Sequence, residues 1–211
     1  MLTRPQFDRA CKLLVQKYEN FTPSRSNNAM RGWSWNEHPS VSGLGYLCRT
    51  SNYLSRDIRL SMDVNLDEIY AEIDEAAATC IDSETLTSQQ YVVYSATFQV
   101  PCFYFAMYRS NGVPLSINEL ISSTLFRPGI FQDADITTFA LTRRDTPFPL
   151  ISQGDHPTTG RPCWFLHPCE TTVAVEELLK EVENDIDEED MRLLMWLKLW
   201  FTVLGGVVDL Q

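Results

Sequence analysis

The stretch that decides the fold is Tyr91-Val92-Val93-Tyr94-Ser95, followed by Phe98-Gln99-Val100-Pro101 and Cys102-Phe103-Tyr104-Phe105. Residues 91–109 are dense in Val, Tyr, Phe and Thr, the residue types that suit a half-buried pleated surface. Pro101 has no N–H to give to a ladder, so the run reads as two strands hinged near residues 98–101, not as one. Asn111-Gly112 supplies the next turn.

Upstream of this pair, residues 3–21 predict a helix. Phe7, Cys11, Leu14, Val15 and Tyr18 share one face, and Thr3 with Gln6 has capping-box spacing. Polar residues 23–31 predict a loop. Residues 43–50 and 57–63 read as short strands, and the acidic, Ala-rich stretch 66–86 as loop with some helix. Downstream, Ser116 and Glu119 form a capping box that opens a helix with Ile117, Leu120, Ile121, Thr124 and Leu125 inward, closed by Arg127-Pro128-Gly129. Residues 135–142 fit helix and strand equally. Residues 153–162 read as a loop and 162–167 as a short strand. Two helices follow, the first with Val175, Leu178, Leu179 and Val182 inward, the second over about 187–204. Helix, meandering strands, then helices predict an α+β fold in one domain spanning residues 1–211.

A chain of 211 residues with 44% apolar and 21% charged residues can bury a core without disulfide or metal staples. Its net charge of −11 makes nucleic acid and anionic membrane poor partners. The acidity is local. Residues 176–190 hold nine acids and one Lys, leaving only −3 for all the rest. Such a run is most often a solvated face; its functional reading is a dock for a basic surface. Arg4, Asp8, Arg9 and Lys12 interrupt any secretory pattern at the start, and the apolar stretch 193–208 is shorter than a bilayer span and contains Lys198. The expectation is a cytoplasmic protein with no stable membrane insertion and six reduced cysteines. With no Cys-x-x-Cys pair and three His, at 38, 156 and 167, no metal site and no cofactor are expected.

The sharpest local feature is His167-Pro168-Cys169, where a strand ends, a proline fixes a turn and a helix begins. Partial positive charge at a helix N-terminus favours thiolate over thiol, which suits a nucleophile. The competing reading is a buried cysteine at a strand end, the commoner fate of that residue. Cys11, Cys48, Cys102 and Cys163 fall at core or strand positions, and Cys80 in a loop without basic neighbours. A peptidase reading of Cys169 ranks low, because His167 is too close along the chain to reach around Pro168 and no peptidase signature is present. Trp33 with Trp35, and Trp196 with Trp200, read as core.

The segments at 91–95, 98–101 and 104–105, with Gly112-Val113-Pro114-Leu115, Asp155-His156-Pro157 and Phe165-Leu166-His167-Pro168-Cys169, occur in the order seen in the autophagy E2-like conjugating enzymes, which the chain resembles over nearly its whole length. Within that family it is most similar to the branch that joins autophagy-related protein twelve to autophagy-related protein five. The resemblance implies an E2-like core, a curved antiparallel sheet flanked by helices, with Cys169 as the thioester nucleophile. It implies as partners the E1-like autophagy-related protein seven, the ubiquitin-like modifier autophagy-related protein twelve and the acceptor autophagy-related protein five, whose lysine attacks the thioester. Ordinary ubiquitin E2s carry a His-Pro-Asn motif. Glu37-His38-Pro39-Ser40 and Asp155-His156-Pro157-Thr158 here lack that Asn. The resemblance therefore points to His167 for positioning the thioester or amine, and to Phe98, where members often have Tyr. Tyr94 and Tyr104 join Phe98 as acceptor-side candidates. Two alternatives stand beside this reading: a lipid-conjugating sibling that acts on phosphatidylethanolamine, and a non-catalytic E2-like adaptor.

Overall fold

The computed structural model describes residues 2–19, 28–56, 84–144, 146, 148–169, 171–182 and 188–210. In chain order the elements are α1 (Arg4–Glu19), a 3-10 turn (Asn28–Met30), β1 (Ser34–Asn36), β2 (Tyr46–Leu54), β3 (Thr85–Ser95), β4 (Val100–Tyr108), α2 (Ile117–Ile121), β5 (Ala134–Ile136), β6 (Ala140–Arg143), β7 (Pro149–Asp155), β8 (Pro162–Leu166), α3 (Thr171–Val182) and α4 (Glu189–Leu204). The eight strands form one open antiparallel sheet in the order β1-β2-β3-β4-β8-β7-β6-β5. Two sequential meanders, β1 to β4 and β5 to β8, are joined where β4 meets β8 at Tyr104↔Phe165 and Phe105↔Trp164. This is the E2-like α+β architecture that the sequence implies.

The expected break near residues 98–101 falls at residues 96–99, and Pro101 itself lies inside β4, opposite Tyr94. β3 and β4 pair from Thr87↔Tyr108 to Ser95↔Val100, and the turn between them places Gln99 in the left-handed region at φ 55°. β3 is longer than its apolar part, starting six residues earlier, at Thr85. Residues 135–142 resolve as the β5–β6 hairpin. β7 was not expected, because its residues lie in and just before the stretch read as loop. β2 runs from Tyr46 to Leu54, later than the 43–50 reading. The expected strand at 57–63, most of 66–86 and Cys80 lie outside the described residues.

Period 2 sorts each strand onto two faces. The inner face carries Leu47, Val92, Phe103, Phe105, Trp164 and Leu166, all buried against the helices. α4 covers it with Leu193, Leu194, Trp196, Leu197, Trp200, Phe201 and Leu204, and packs on both α1 and α3. α1 turns in Phe7, Ala10, Cys11 and Leu14, the stripe its periodicity predicts. Full burial of such side chains contributes roughly 1.5–3 kcal/mol each. Trp33 and Trp196 are core, as read, while Trp35 packs at the edge of it.

One polar node crosses this core. Arg49, 8% exposed, donates to Gln90 Oε1 (2.7 Å) and to the carbonyls of Ala29 (3.3 Å), Arg31 (3.2 Å) and Leu210 (3.1 Å), with its guanidinium 4.6 Å from the Trp33 ring. Gln90 in turn donates to Tyr53, whose hydroxyl donates to the Asp209 carbonyl. Buried polar groups need partners; here they tie the 3-10 turn and the residues after α4 to the middle of the sheet.

Candidate active site

β8 ends because Pro168 cannot continue the ladder; the His167 amide makes the last bond, to Leu150 O at 3.0 Å. Thr171 then folds back, its N–H and hydroxyl both donating to Pro168 O (3.3 and 2.8 Å), and opens α3. Cys169 stands in the turn between strand and helix, two residues before the helix begins, and its side chain is exposed. The other described cysteines differ. Cys11, Cys102 and Cys163 are buried and Cys48 is half-buried. Burial pushes the Cys163 thiol up to about 11 and those of Cys11 and Cys102 well above the usual range, so all three stay protonated at neutral pH.

The His167 ring is held between two phenylalanines, edge-on to Phe98 (centroids 5.2 Å apart) and stacked on Phe148 (5.9 Å, 6° between planes). Its Nδ1 is buried and has no hydrogen-bond partner. Phe98 arrives from the β3–β4 turn, which is closed by Gln99 N donating to Ser95 O (2.8 Å) and tied to the N-terminal segment through Leu2 N to Gln99 O (3.1 Å). A cavity of about 310 Å3 opens at Cys169 and His167 and passes inward between β4, β8 and the end of α4.

Of the five residues singled out in the sequence, the fold gathers Phe98, His167 and Cys169. It sets the other two apart. Tyr94 faces the helices, its hydroxyl donating to Leu2 O (2.9 Å) and its ring 5.7 Å from Phe7. Tyr104 lies on the outer face, stacked on Phe165 (5.3 Å) within a cluster that includes Tyr46, Tyr91 and His156. The two His-Pro segments are turns, not site residues: Nδ1 of His38 accepts from Ser40 N and Val41 N, and Nδ1 of His156 from Thr158 N and Thr159 N. Burial first, and Arg161 second, hold His156 down at about 4, a neutral ring at physiological pH. Phe148 and Trp200 at the cavity were not foreseen as site residues. The one signal for Phe148 is an aromatic residue flanked in sequence by Pro147 and Pro149.

The model of the family described as "Autophagocytosis associated protein, active-site domain" matches residues 6–211. The chain belongs to this family. It is 24% identical over 196 residues to the human "Ubiquitin-like-conjugating enzyme ATG10", covering 85% of this chain and 79% of that protein. It is 31% identical over 123 residues to the protein of the same name from Arabidopsis thaliana and 28% over 124 residues to that from Dictyostelium discoideum. These two matches cover 57% of this chain and about half of each relative (48% and 49%). Family, fold and relatives together make the chain an E2-like ubiquitin-like-protein transferase of autophagy, a class whose partners are an E1 and a ubiquitin-like modifier. No helix among the described residues is long and apolar enough to cross a membrane.

Proposed function

We propose that Cys169 carries the modifier autophagy-related protein twelve as a glycyl thioester, received from the E1-like autophagy-related protein seven and passed to a lysine of autophagy-related protein five. The observation that supports this most is that Cys169 is the exposed cysteine among those described, at a strand-to-helix turn on the rim of a cavity. In the first step the Cys169 sulfur attacks the thioester carbonyl on the E1; the new C–S bond forms, the old one breaks, and the E1 thiol leaves with the proton. In the second a lysine amine attacks the same carbonyl, the amide C–N bond forms, the amine gives up a proton and Cys169 returns as a thiol. No electrons are exchanged with a third party. Most of the rate comes from holding the amine at attack distance. His167 is the group we assign to the oxyanion or the incoming amine, with Phe98 setting its ring plane. Of the two tyrosines, Tyr104, on the outer face, is the one we keep on the acceptor side; Tyr94, packed on Phe7 under the helices, is left a structural role.

The chain's acidity and the mixed charges of α1 (Arg9, Lys12 and Lys17 with Asp8 and Glu19) favour a protein lysine over a phospholipid amine. The test is incubation with the E1-like enzyme, the modifier and ATP, followed by discharge onto free lysine, the acceptor protein or phosphatidylethanolamine liposomes in parallel. A reductant-sensitive adduct that disappears in Cys169→Ala, persists as a reductant-resistant ester in Cys169→Ser, and discharges saturably onto the protein is expected. Transfer to liposomes alone would place the chain with the lipid-conjugating sibling; no adduct at all would favour the adaptor.

A further inference from the structure

His167 differs from the other two histidines in what holds its ring. The last torsion of a histidine side chain has a broad, two-fold preference, so neighbours rather than the side chain itself set the ring plane. Nδ1 of His38 and Nδ1 of His156 each accept two backbone N–H groups, which fix those rings. Nδ1 of His167 is buried and has no such partner. Its orientation rests on two aromatic contacts, Phe98 edge-on at 74° and Phe148 parallel to within 6°. Phe148 is in turn held by its backbone. Pro149 disfavours helical geometry at the residue before it, and it opens β7 by pairing with Thr142. The Thr146 hydroxyl donates to Phe148 O at 3.1 Å. The Phe148 side chain is 59% exposed, so it contributes little to the core, yet it lines the cavity together with His167 and Cys169.

We infer that Phe148 is a positioning residue for transfer: its ring keeps the His167 imidazole turned toward the thioester carbonyl on Cys169. The inference rests on the proposal that Cys169 carries the modifier and that His167 serves the oxyanion or the incoming amine. A ring lying parallel to the imidazole resists its rotation out of plane, the motion that would carry a ring nitrogen away from the carbonyl. With no hydrogen bond at Nδ1 to oppose that motion, loss of the stacked ring leaves Phe98 alone to do so. A displacement of about 1 Å at a reacting centre can cost roughly 100-fold in rate. Phe148 therefore acts through His167 and not on the reacting atoms. An exposed phenylalanine beside a nucleophile could instead be part of the acceptor's dock, and the two roles differ in a measurable way. A dock matters only to the acceptor protein, whereas a misplaced imidazole slows transfer to any amine.

The experiment measures single-turnover discharge from the full chain, charged with autophagy-related protein twelve, onto free lysine and onto the acceptor protein in parallel. Phe148→Ala and Phe148→Leu remove the flat ring, and each is expected to slow both discharges about 10-fold or more. The half-saturating acceptor concentration is expected to change by less than about 2-fold, since no docking contact is lost. Phe148→Tyr keeps the ring and is expected to stay within about 3-fold of wild type. On a His167→Ala chain, Phe148→Ala is expected to cost less than about 2-fold further, because both changes remove one function. Thermal unfolding reports whether each variant is folded. If Phe148→Ala is not, Phe148→Leu and Phe148→Tyr decide, and equal rates for those two overturn the inference. Wild-type discharge by Phe148→Ala and Phe148→Leu, or penalties that multiply with His167→Ala, overturns it while leaving Cys169 as nucleophile. A loss confined to the acceptor protein, with lysine discharge untouched, overturns it in favour of a docking role. Wild-type discharge by His167→Ala removes the group through which Phe148 acts and overturns it as well. No adduct on the wild-type chain overturns the proposed function and this inference together.

Discussion

Arg49→Met is the most searching test of how the sheet holds the rest of the chain. The arginine is buried and meets Gln90 Oε1 at 2.7 Å and three backbone carbonyls at 3.1–3.3 Å, with no carboxylate pairing it among the described residues. Burial lowers its affinity for its proton. Methionine keeps much of the volume over Trp33 but strands four acceptors. Two of the four bonds, those to Gln90 and Leu210, are fully buried, and each buried acceptor left without a donor costs about 1–3 kcal/mol. Removing a desolvated cation returns part of that loss. The net expectation is destabilisation by about 2–4 kcal/mol, or a melting point lower by roughly 10 °C at this size. Arg49→Met with Gln90→Leu should recover part of it, since apolar groups on both sides leave fewer orphans. Urea unfolding of the two variants measures this. A loss under about 1 kcal/mol at unchanged denaturant slope, or a double variant worse than the single, would show that the node contributes no net stability.

Three further expectations concern single side chains. His156 titrates near 4 in the fold against about 6.5 when unfolded, so the unfolded chain takes up the proton first. Stability should therefore fall as pH drops from about 6.5 towards 4, by roughly 1 kcal/mol per unit, and His156→Gln should flatten that slope in thermal scans; an unchanged slope would assign the effect elsewhere. His167→Ala should remain folded yet slow discharge about 10²–10³-fold, the usual loss for one donor at a developing oxyanion, and single-turnover transfer at the wild-type rate would leave the ring a packing role only. Tyr104→Ala, on the outer face, should weaken transfer to the acceptor while leaving loading from the E1 intact; equal loss in both assays would point to a damaged sheet.

The division of residues 91–109 into two strands, the α1 stripe and the Cys169 turn are all legible in the sequence, because each rests on a local signal: a proline near the break, a 3.6 period, a proline between strand and helix. What stayed hidden depends on distant partners. The first half of β3 reads Thr85-Leu86-Thr87-Ser88-Gln89-Gln90, with polar residues at the inward positions Ser88 and Gln90, so its period of 2 carries no apolar signal. Gln90 is there to serve Arg49, forty-one positions earlier. The helix after Ser116 stops at Ile121, not Leu125, because the chain is drawn away to pair with the end of β2, through Ser55↔Ser123 and Thr124 N to Leu54 O (2.9 Å). β7 buries only Ile151, too little apolar content to announce a strand. At the site, Cys169 and His167 are two positions apart in the chain and visible; Phe148 and Trp200 reach the same place only through the fold.

The sheet's order has a consequence for the time course of folding. Within each meander, neighbouring strands are chain neighbours, but the seam at Tyr104↔Phe165 closes a loop of some sixty residues and has the entropic handicap of a distant contact. The cavity is walled from both sides of that seam, by Phe103 of β4 and Leu166 of β8. A chain with two finished hairpin meanders and an open seam would therefore display most of its secondary structure and yet leave the surroundings of Cys169 unassembled. Competence to be charged should appear in the slowest refolding phase, later than recovery of the far-ultraviolet signal, so that an immature molecule is passed over by the conjugation cascade without any dedicated check.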